Sequence, residues 1–466
     1  MRTMEQALSI VVLAAGKGTR MRSRYPKLLH PVGGRPMLDH VLRTAFSLEP
    51  EAVHVVHGHG AEAVQAAHAD WPVRWVVQEP QLGTGHAVEQ AIPAIPDDHQ
   101  VLVLYGDVPL VRPETLQALL AEADGGLGLL SVDFPDPTGY GRVLRDGHGA
   151  VTGVVEHKDA TAAQRRVTEC NTGLLAAPAG RLKAWLQRLD NDNAQAEYYL
   201  TDVIAMAVAD GVRVAAYPVA DPAEVQGVND RVQLAAAERV WQRRQAEDWM
   251  RAGVTILDPD RFDLRGHFAA GEDCRIDVGV VLEGRVELGA GVEIGPHCVL
   301  RDVALGDGTR VEAHSVLDGA TAGRNCRIGP FARLRPGTDL ADGAKVGNFV
   351  ETKAARIGPG SKVNHLSYMG DAELGRDVNV GAGTITCNYD GHSKHRTEIG
   401  DGAFIGSGTQ LVAPVRVGRG ATIGAGSTVT RDAPDEALTV ARSAQRSIHG
   451  WRRPGQRPDR GEGSDA

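Results

Sequence analysis

The sequence predicts two domains of different fold class: an α/β domain with a largely parallel sheet, followed by a parallel β-helix. Two observations carry this prediction. Short aliphatic runs alternate with helical patterns through the first half, and aliphatic-glycine pairs recur at steps near multiples of six through the second half. The chain of 466 residues also exceeds the size at which a single hydrophobic core stops growing, so more than one domain is expected.

Composition and charge exclude several classes of protein. Hydrophobic residues at 42% and charged residues at 23% are ordinary for a soluble globular protein, and the net charge of -9 argues against a general nucleic-acid binder. No apolar run approaches the roughly 18 residues that a membrane span needs, so no membrane insertion is expected. The 5 cysteines are widely scattered and form no C-x-x-C pair, which predicts free thiols and a cytoplasmic protein.

Three aliphatic runs in the first half predict strands of one sheet. SIVVLAA, AVHVVHG and VLVLYGD are each followed by a helical pattern, respectively PMLDHVLRTAF, AEAVQAAHA and ETLQALLAEA. This is the alternation of a largely parallel sheet that is covered by helices. Ligands of such sheets bind at the carboxyl ends of the strands, where the loop LAAGKGTRMRSRYPK (13–27) and Asp107 fall.

A long helix is predicted between the two halves. The stretch from Asp230 to Gly253 has no internal proline or glycine, and its apolar residues recur at three and four positions. Because it separates two dissimilar patterns, we interpret it as a linker. The predicted organisation is therefore a first domain at 1–229, a helical linker at 230–252 and a second domain at 253–466, which ends in a disordered tail.

Glycine spacing predicts the β-helix. The 56 glycines exceed the roughly 33 expected at an average usage of about 7%. Steps between aliphatic-glycine pairs are often 6, and 11, 12, 17 and 18 occur among the larger ones, as in a solenoid of hexapeptides. The pairs are Leu288-Gly289, Ile294-Gly295, Leu305-Gly306, Ile328-Gly329, Val346-Gly347, Ile357-Gly358, Leu374-Gly375, Val380-Gly381, Ile399-Gly400, Ile405-Gly406, Val417-Gly418 and Ile423-Gly424.

One polar insertion interrupts the hexapeptide pattern. Between Gly381 and Gly400 lies NYDGHSKHR, which is too polar to line the interior of a solenoid. Such an insertion leaves the solenoid as a loop, often on the binding face. Lys394, His395 and Arg396 make this loop (386–397) a candidate contact for an anion.

The loop at 13–27 is suited to hold phosphate without being a known phosphate loop. No G-x-x-x-x-G-K-[ST] motif fits it, and the third glycine of a dinucleotide fingerprint would fall at Met21. Gly16 and Gly18 nevertheless allow backbone amides to approach phosphate oxygens. Positive charge is supplied by Lys17, Arg20 and Lys27. The alternative is a solvated basic turn.

Eight ordered motifs carry a family resemblance. The pattern LAAGKGTRM with Pro26-Lys27 resembles the signature of the sugar-1-phosphate nucleotidylyltransferases. The motifs that follow are QLGTGHA (81–87), YGDVPL (105–110), GYGR (139–142), VEHKDA (155–160), ECNTG (169–173), NAQAEYYLTD (193–202) and GVND (227–230). With the hexapeptide repeats behind them, residues 8 to 455 resemble the family of bifunctional N-acetylglucosamine-1-phosphate uridylyltransferases and glucosamine-1-phosphate acetyltransferases.

The resemblance implies a fold, two reactions and an assembly. The fold is an α/β Rossmann-like nucleotidyltransferase domain followed by a left-handed parallel β-helix. Glucosamine 1-phosphate is acetylated with acetyl-CoA, and the N-acetylglucosamine 1-phosphate formed reacts with UTP to give UDP-N-acetylglucosamine and pyrophosphate. Members of the family are homotrimers with coenzyme A between neighbours, and Mg²⁺ serves the uridylyl transfer.

The resemblance also implies the residues of the first site. Arg20 and Lys27 contact the triphosphate and carry the catalytic role, and Asp107 and Asn229 bind Mg²⁺, a cation that prefers oxygen ligands. The residues that contact UTP or UDP-N-acetylglucosamine are Leu13, Ala14, Ala15, Gly16, Lys27, Gln78, Gly83, Thr84, Tyr105, Gly106, Asp107, Gly141, Glu156, Asn171 and Asn229. Asp107 alone could instead cap a helix, and Gln78 and Thr84 could be ordinary loop residues.

His365, in GSKVNHLSYMGD, is the candidate catalytic residue of the second site. Acetyl transfer needs a neutral amine, and a histidine titrates close enough to neutral pH to act as its base. The alternative is a histidine stacked on the face of a solenoid. The resemblance assigns the sugar phosphate to Arg335, Lys353, Tyr368, Asn379 and Lys394, with Lys394 reaching a neighbouring subunit's site. It assigns acetyl-CoA to Ala382, Asn388, Tyr389, Ser407, Ala425 and Arg442.

Two other functions compete with this interpretation. A single-activity sugar-1-phosphate nucleotidylyltransferase could carry a β-helix that only regulates or oligomerises it, but such a solenoid would not require His365 or the 386–397 loop. A non-catalytic scaffold is the second alternative. The complete set of Arg20, Lys27, Asp107 and Asn229 argues against it.

Overall fold

The computed structural model describes residues 7–16, 18–58 and 61–454. Lys17 and most of the predicted tail, residues 455–466, lie outside the described residues. The chain divides into two compact units, Met1–Phe268 with Val278–Arg285, and Ala269–Asp277 with Val286–Ala466. Among the described residues, no helix combines the length and the apolarity needed to cross a membrane.

The first unit alternates strands and helices. Its strands are β1 (Leu8–Leu13), β2 (Pro31–Val32), β3 (Arg35–Pro36), β4 (Ala52–His57), β5 (Arg74–Val77), β6 (Gln100–Tyr105), β7 (Leu127–Asp133), β8 (Gly141–Arg145), β9 (Val151–Val155), β10 (Glu169–Pro178) and β11 (Val214–Pro218). Its α-helices are α1 (Met37–Phe46), α2 (Glu62–Ala67), α3 (Thr84–Ala91), α4 (Pro113–Ala123), α5 (Ala179–Leu186), α6 (Asp202–Ala209) and α7 (Arg231–Arg251).

The main sheet runs in the order β11-β7-β10-β6-β1-β4-β5. Strand β1 is parallel to both β4 and β6, whereas β10 is antiparallel to β6 and β7. Apolar residues cover both faces because helices pack on both sides: Ile10 and Val12 point into one core, Val11 and Leu13 into the other. The largely parallel sheet predicted from the sequence is confirmed. Leu13 pairs with Tyr105 at the carboxyl ends of β1 and β6.

The predicted helix between the two sequence patterns is α7. The Asp230 side chain caps it by accepting hydrogen bonds from the backbone amides of Val232 and Gln233, both at 2.9 Å. On its buried side, Gln242 accepts from the Leu264 amide at 2.7 Å and donates to the Leu264 carbonyl at 3.0 Å. The helix is therefore fixed to the first unit by specific hydrogen bonds.

After α7 the regular structure consists mainly of strands, most of them short. They are β12 (Thr255–Ile256), β13 (Phe262–Ala270), β14 (Arg275–Ile276), β15 (Val280–Leu288), β16 (Glu293–Ile294), β17 (Val299–Leu305), β18 (Arg310–Val311), β19 (Val316–Asp318), β20 (Ala320–Ala322), β21 (Arg327–Ile328), β22 (Arg333–Leu334), β23 (Thr338–Leu340), β24 (Lys345–Asn348), β25 (Glu351–Lys353), β26 (Arg356–Ile357), β27 (Lys362–His365), β28 (Tyr368–Gly370), β29 (Ala372–Leu374), β30 (Asn379–Val380), β31 (Ile385–Cys387), β32 (Thr397–Ile399), β33 (Phe404–Ile405), β34 (Gln410–Val412), β35 (Val415–Val417), β36 (Thr422–Ile423), β37 (Thr428–Val429) and β38 (Leu438–Thr439).

The strands of the second unit stack as the coils of a parallel β-helix. One sheet runs β14-β16-β18-β21-β24-β27-β30-β33-β36, and two further rows of parallel strands diverge from β17. The register pairs Ile294, Val311, Ile328, Val346, Val363, Val380, Ile405 and Ile423 in succession, at steps of 17 or 18 residues with one exception. Each coil thus holds about three hexapeptides, and the hexapeptide prediction is confirmed.

One coil is longer than the others because it carries the polar insertion. Val380 pairs with Ile405, a step of 25 residues, because the segment between them carries the 386–397 loop. Close stacking elsewhere explains the glycines. A Cβ on Gly358 would lie 2.1 Å from the carbonyl oxygen of Gly375 in the next coil, so only glycine fits there.

Candidate active sites

A cavity of about 550 Å³ opens at the carboxyl ends of β1 and β6 in the first unit. It brings together most of the residues predicted to contact the nucleotide. Its walls include Leu13, Ala14, Ala15, Gly16, Arg20, Lys27, Gln78, Gly83, Thr84, Tyr105, Asp107 and Asn229. Gly106 lies directly beside it, where its amide donates to the Leu13 carbonyl at 2.9 Å.

Lys27, Asp107 and Asn229 form the polar centre of this cavity. The Lys27 Nζ donates to Asp107 Oδ2 at 2.5 Å and to Asn229 Oδ1 at 2.8 Å. The lysine side chain is only 9% exposed. A hydrogen bond of 2.9 Å from the Val228 amide to the Asp107 carbonyl ties the segment before α7 to the end of β6. Two oxygens from distant parts of the sequence are thereby aimed at one cation.

These two oxygens fit a divalent cation of the Mg²⁺ class. Such ions bind one or two protein carboxylates or carbonyls and complete their shell with water and substrate phosphates. Within the described residues, no group of three or more His, Cys, Asp or Glu side chains is arranged to hold a metal ion alone. The donor set at Asp107 and Asn229 therefore suits a metal that arrives with a phosphate ligand.

The wall formed by Gln78, Gly83 and Thr84 is fixed by the segment before α6. Gln78 Nε2 donates to the Gly83 carbonyl at 2.9 Å, and the Thr84 hydroxyl accepts from the Leu200 amide at 3.1 Å. Gly83 has φ +119°, and a Cβ there would lie 2.5 Å from the Tyr198 carbonyl oxygen. A side chain at position 83 is excluded by both conformation and space.

A second group of predicted residues lies close together in the first unit, namely Gly141, Glu156 and Asn171. Asn171 pairs with Gly141 in the sheet, and a Cβ on Gly141 would lie 3.4 Å from Glu156 Oε1. The hydroxyl of Thr201 donates to Glu156 Oε1 at 3.1 Å. Burial raises the pKa of the Glu156 carboxyl above its usual value, and this hydrogen bond offsets only part of the rise. The three residues predicted to hold the amino sugar are therefore neighbours.

Arg142, the last residue of the GYGR motif, is a structural residue of this region for which the sequence predicted no role. It is 1% exposed, and its guanidinium donates to the Tyr140 carbonyl and lies 3.4 Å from His157 Nδ1. It links the turn before Gly141 to the turn after Glu156. The only sequence signal was its place in GYGR. Gln81 was also unassigned, and its Nε2 donates to the Ala15 carbonyl at 2.5 Å.

In the second unit, His365 is exposed at the end of β27. Its Nδ1 lies 2.8 Å from Oδ1 of Asn348, the residue paired with it on β24. Asn348 carried no sequence signal, because its importance comes from the register between two coils. His365 is not stacked against another aromatic ring in the described structure, unlike His297 and His314, whose ring centroids lie 5.2 Å apart.

Arg335, Lys353 and Lys394 form a cluster of like charges. Lys394 and, to a smaller extent, Arg335 lower the pKa of the Lys353 ammonium. Arg335 also donates to Glu351 Oε1 at 2.8 Å. The structure thus places Lys394, on the projecting loop, beside Lys353 of the same chain. Cations gathered in this way repel one another, and a bound phosphate would relieve that repulsion.

Tyr368 and Asn379 lie at different positions around the coil. Tyr368 pairs with Glu351, close to the cationic cluster. Asn379 pairs with Lys362, three residues before His365 on β27, so about 10 Å of strand separates it from the histidine. Within one chain, Asn379 and His365 are therefore not direct neighbours in the register.

Most residues predicted to contact acetyl-CoA share one corner of successive coils. The amide of Gly408 donates to the Ala382 carbonyl, and the amide of Gly426 donates to the Ser407 carbonyl, both at 2.8 Å. Arg442 donates to the Ala425 carbonyl at 2.7 Å. Asn388 and Tyr389 lie elsewhere, on the projecting loop, where the Asn388 side chain donates to Asp371 Oδ2.

The sequence matches known families in both halves. Residues 10–165 match the MobA-like NTP transferase domain. Residues 264–385 match the GMPPB C-terminal domain, and residues 396–431 match the bacterial transferase hexapeptide (six repeats). A solved nucleotidyl transferase from Methanothermobacter thermautotroptrophicus is 24% identical, covers 51% of this chain and 99% of its own, and superimposes with a TM-score of 0.37.

Three curated relatives, each called bifunctional protein GlmU, match almost the whole chain. The Marinobacter nauticus protein is 58% identical over 96% of this chain and 99% of its own length. The Aromatoleum aromaticum protein is 57% identical over 96% of this chain and 98% of its own. The Methylococcus capsulatus protein is 58% identical over 95% of this chain and 97% of its own.

Proposed function

Because the chain belongs to the family of bifunctional GlmU proteins, we propose how its two halves divide the family's two activities. The protein is an enzyme with uridylyltransferase and acetyltransferase activities. Residues 253–466 acetylate glucosamine 1-phosphate with acetyl-CoA. Residues 1–229 then transfer UMP from UTP to the N-acetylglucosamine 1-phosphate formed, and residues 230–252 connect the two domains in sequence. The convergence of Lys27, Asp107 and Asn229 in one cavity is the observation that carries the proposal.

Uridylyl transfer is a displacement at phosphorus. An oxygen of the sugar phosphate attacks the α-phosphorus of UTP, a new P–O bond forms, and the bond to pyrophosphate breaks. Residues 13–16 and Gln78 hold the uridine, Arg20 and Lys27 neutralise the triphosphate, and Gly83, Thr84, Tyr105 and Gly106 complete the nucleotide wall. Gly141, Glu156 and Asn171 hold the amino sugar. Mg²⁺, held by Asp107 and Asn229, would neutralise charge on the reacting phosphates.

Acetyl transfer is an attack by an amine on a thioester. The amine nitrogen of glucosamine 1-phosphate bonds to the carbonyl carbon of acetyl-CoA, the C–S bond breaks, and coenzyme A leaves with a proton on sulfur. His365 takes the proton that the amine loses and passes it to the sulfur of the departing coenzyme A. Arg335, Lys353 and Lys394 hold the sugar phosphate together with Tyr368 and Asn379. Acetyl-CoA is held by Ala382, Asn388, Tyr389, Ser407, Ala425 and Arg442.

The direct test is product analysis. The pure protein is incubated with glucosamine 1-phosphate, acetyl-CoA, UTP and Mg²⁺, and the products are separated by mass. We expect coenzyme A, pyrophosphate and UDP-N-acetylglucosamine. If UDP-N-acetylglucosamine formed only when N-acetylglucosamine 1-phosphate was supplied, the protein would be a single-activity nucleotidylyltransferase with a regulatory β-helix.

The acetyltransferase site is proposed to be completed in a homotrimer. The distance of Asn379 from His365 along one chain supports this, because a second copy can bring a further set of residues to the histidine. Sedimentation equilibrium should give three times the chain mass, and a stable active monomer would contradict the proposal.

We also propose a cytoplasmic location, which is compatible with 5 cysteines that form no disulfide.

Replacement of Lys353 should weaken binding of the acetyl acceptor. Lys353→Met removes one cation from the cluster around the sugar phosphate, and we expect the KM for glucosamine 1-phosphate to rise about 10-fold or more, the usual loss for a hydrogen bond to a charged group. Lys345→Met is the matched control, a lysine of the same β-helix outside the cluster. Steady-state kinetics of acetyl transfer measure both variants. An equal KM change in the two would show that Lys353 has no specific part in the site.

A further inference from the structure

His365 and Asn348 are held face to face by the register of two coils. Strands β24 and β27 are parallel, and Asn348 pairs directly with His365. The two coils approach closely just before this pair, since a Cβ on Gly347 would lie 2.0 Å from the Asn364 carbonyl oxygen. The Leu366 amide also donates to the Asn348 carbonyl at 3.1 Å. Backbone contacts on both sides of the pair therefore fix the distance between the two side chains.

The side-chain contact selects one form of the imidazole ring. Asn348 Oδ1 lies 2.8 Å from His365 Nδ1, and an amide oxygen can only accept a hydrogen bond. Nδ1 must therefore carry the proton when the ring is neutral. The lone pair then resides on Nε2, the nitrogen that is free to act as a base.

Asn348 is the last residue of β24, and it is half-buried. Its neighbours along the chain are Gly347 and the exposed Phe349. His365 is exposed, and among the described residues its ring hydrogen-bonds to Asn348 and to no other side chain. An exposed imidazole without this contact would sample both tautomers and rotate about its side-chain bonds.

We propose that Asn348 is a positioning residue that accepts the Nδ1–H of His365 and so presents Nε2 as the base for the acetyl acceptor's amine. The proposal rests on the proposed role of His365 in acetyl transfer. Asn348 takes no part in bond making, and it acts only through the histidine. Groups that orient a metal-bound histidine in this way typically affect activity by about 10- to 100-fold, and we expect an effect of the same size here.

Three variants separate positioning from simple packing. Asn348→Leu keeps the side-chain volume and removes the acceptor, so we expect kcat for acetyl transfer to fall about 10- to 100-fold. Asn348→Asp retains an oxygen that can accept the Nδ1–H, so it should restore most of the activity. Uridylyl transfer by the same samples is the internal control for folding and concentration, because Asn348 lies outside that site.

A double-mutant cycle tests whether Asn348 acts through His365. In the His365→Ala background, Asn348→Leu should cause no further loss of acetyl transfer, because the ring that it positions is gone. Full activity of Asn348→Leu would overturn the proposal. So would an equal loss in Asn348→Asp and Asn348→Leu, or a further loss on the His365→Ala background. If His365→Ala itself kept full acetyl transfer, the proposed base would be wrong, which is a separate failure.

Discussion

Asp107→Ala is expected to lower kcat/KM for uridylyl transfer by at least about 10³-fold and to leave acetyl transfer unchanged. Asp107 Oδ2 is one of the two oxygens that converge on Lys27, and its removal takes a negative charge from the centre of the cavity. The metal would lose its carboxylate ligand, and the loss of a metal ion's charge stabilisation costs several kcal/mol. The Lys27 ammonium would also lose its ion pair and keep only its hydrogen bond to Asn229.

The experiment has one readout besides the rate of uridylyl transfer. Mn²⁺ serves as a probe of the metal site, and electron paramagnetic resonance measures its binding in the presence of UTP. Asp107→Ala should fail to bind Mn²⁺ under conditions in which the unmodified protein binds it. Asp98→Ala, at an exposed aspartate of the first unit, is the matched control and should behave as the unmodified protein. Normal Mn²⁺ binding by Asp107→Ala would remove Asp107 from the metal site.

His365→Ala should lower kcat for acetyl transfer by about 10²- to 10⁴-fold, the usual contribution of a positioned general base. The imidazole ring is exposed, so its removal leaves no cavity in the core and the protein should fold. Thiol release from acetyl-CoA measures the first reaction, and pyrophosphate release measures the second. Uridylyl transfer from supplied N-acetylglucosamine 1-phosphate should be unaffected.

The control for His365 is another histidine of the same β-helix. His297→Ala removes an imidazole that stacks on His314 and has no proposed catalytic part. It should retain acetyl transfer. A rate for His365→Ala equal to that of the unmodified protein would show that another group accepts the proton from the amine, and the histidine would then be a structural residue of the solenoid.

The position of the first site could be predicted from the sequence because some of its residues lie at the ends of recognisable strands. Leu13 and Asp107 come at the ends of two aliphatic runs, and parallel neighbouring strands bring their carboxyl ends to one edge. The contact between Lys27 and Asn229 could not be predicted in this way, because the two residues are far apart in the sequence. Their contact depends on the segment before α7, which a backbone hydrogen bond fastens to the end of β6.

The second site could be predicted from the sequence only in part. His365 stood out because an imidazole suits the chemistry and because the motif around it resembles the family's. Asn348 and the approach of Lys394 to Lys353 did not stand out, since both depend on which residues of successive coils lie side by side. That register is set by coil length, and the longer coil with the projecting loop changes it locally.

The sequence by itself determined the periods of the two domains. Period and composition decide which side chains are buried, and burial of aliphatic residues selects a parallel sheet in one half and stacked coils in the other. Only the tertiary structure decided which polar side chains meet. Lys27 meets Asn229, and Asn348 meets His365, because hydrogen bonds between distant segments fix distances to a few tenths of an ångström, and no periodic pattern in the sequence records those distances.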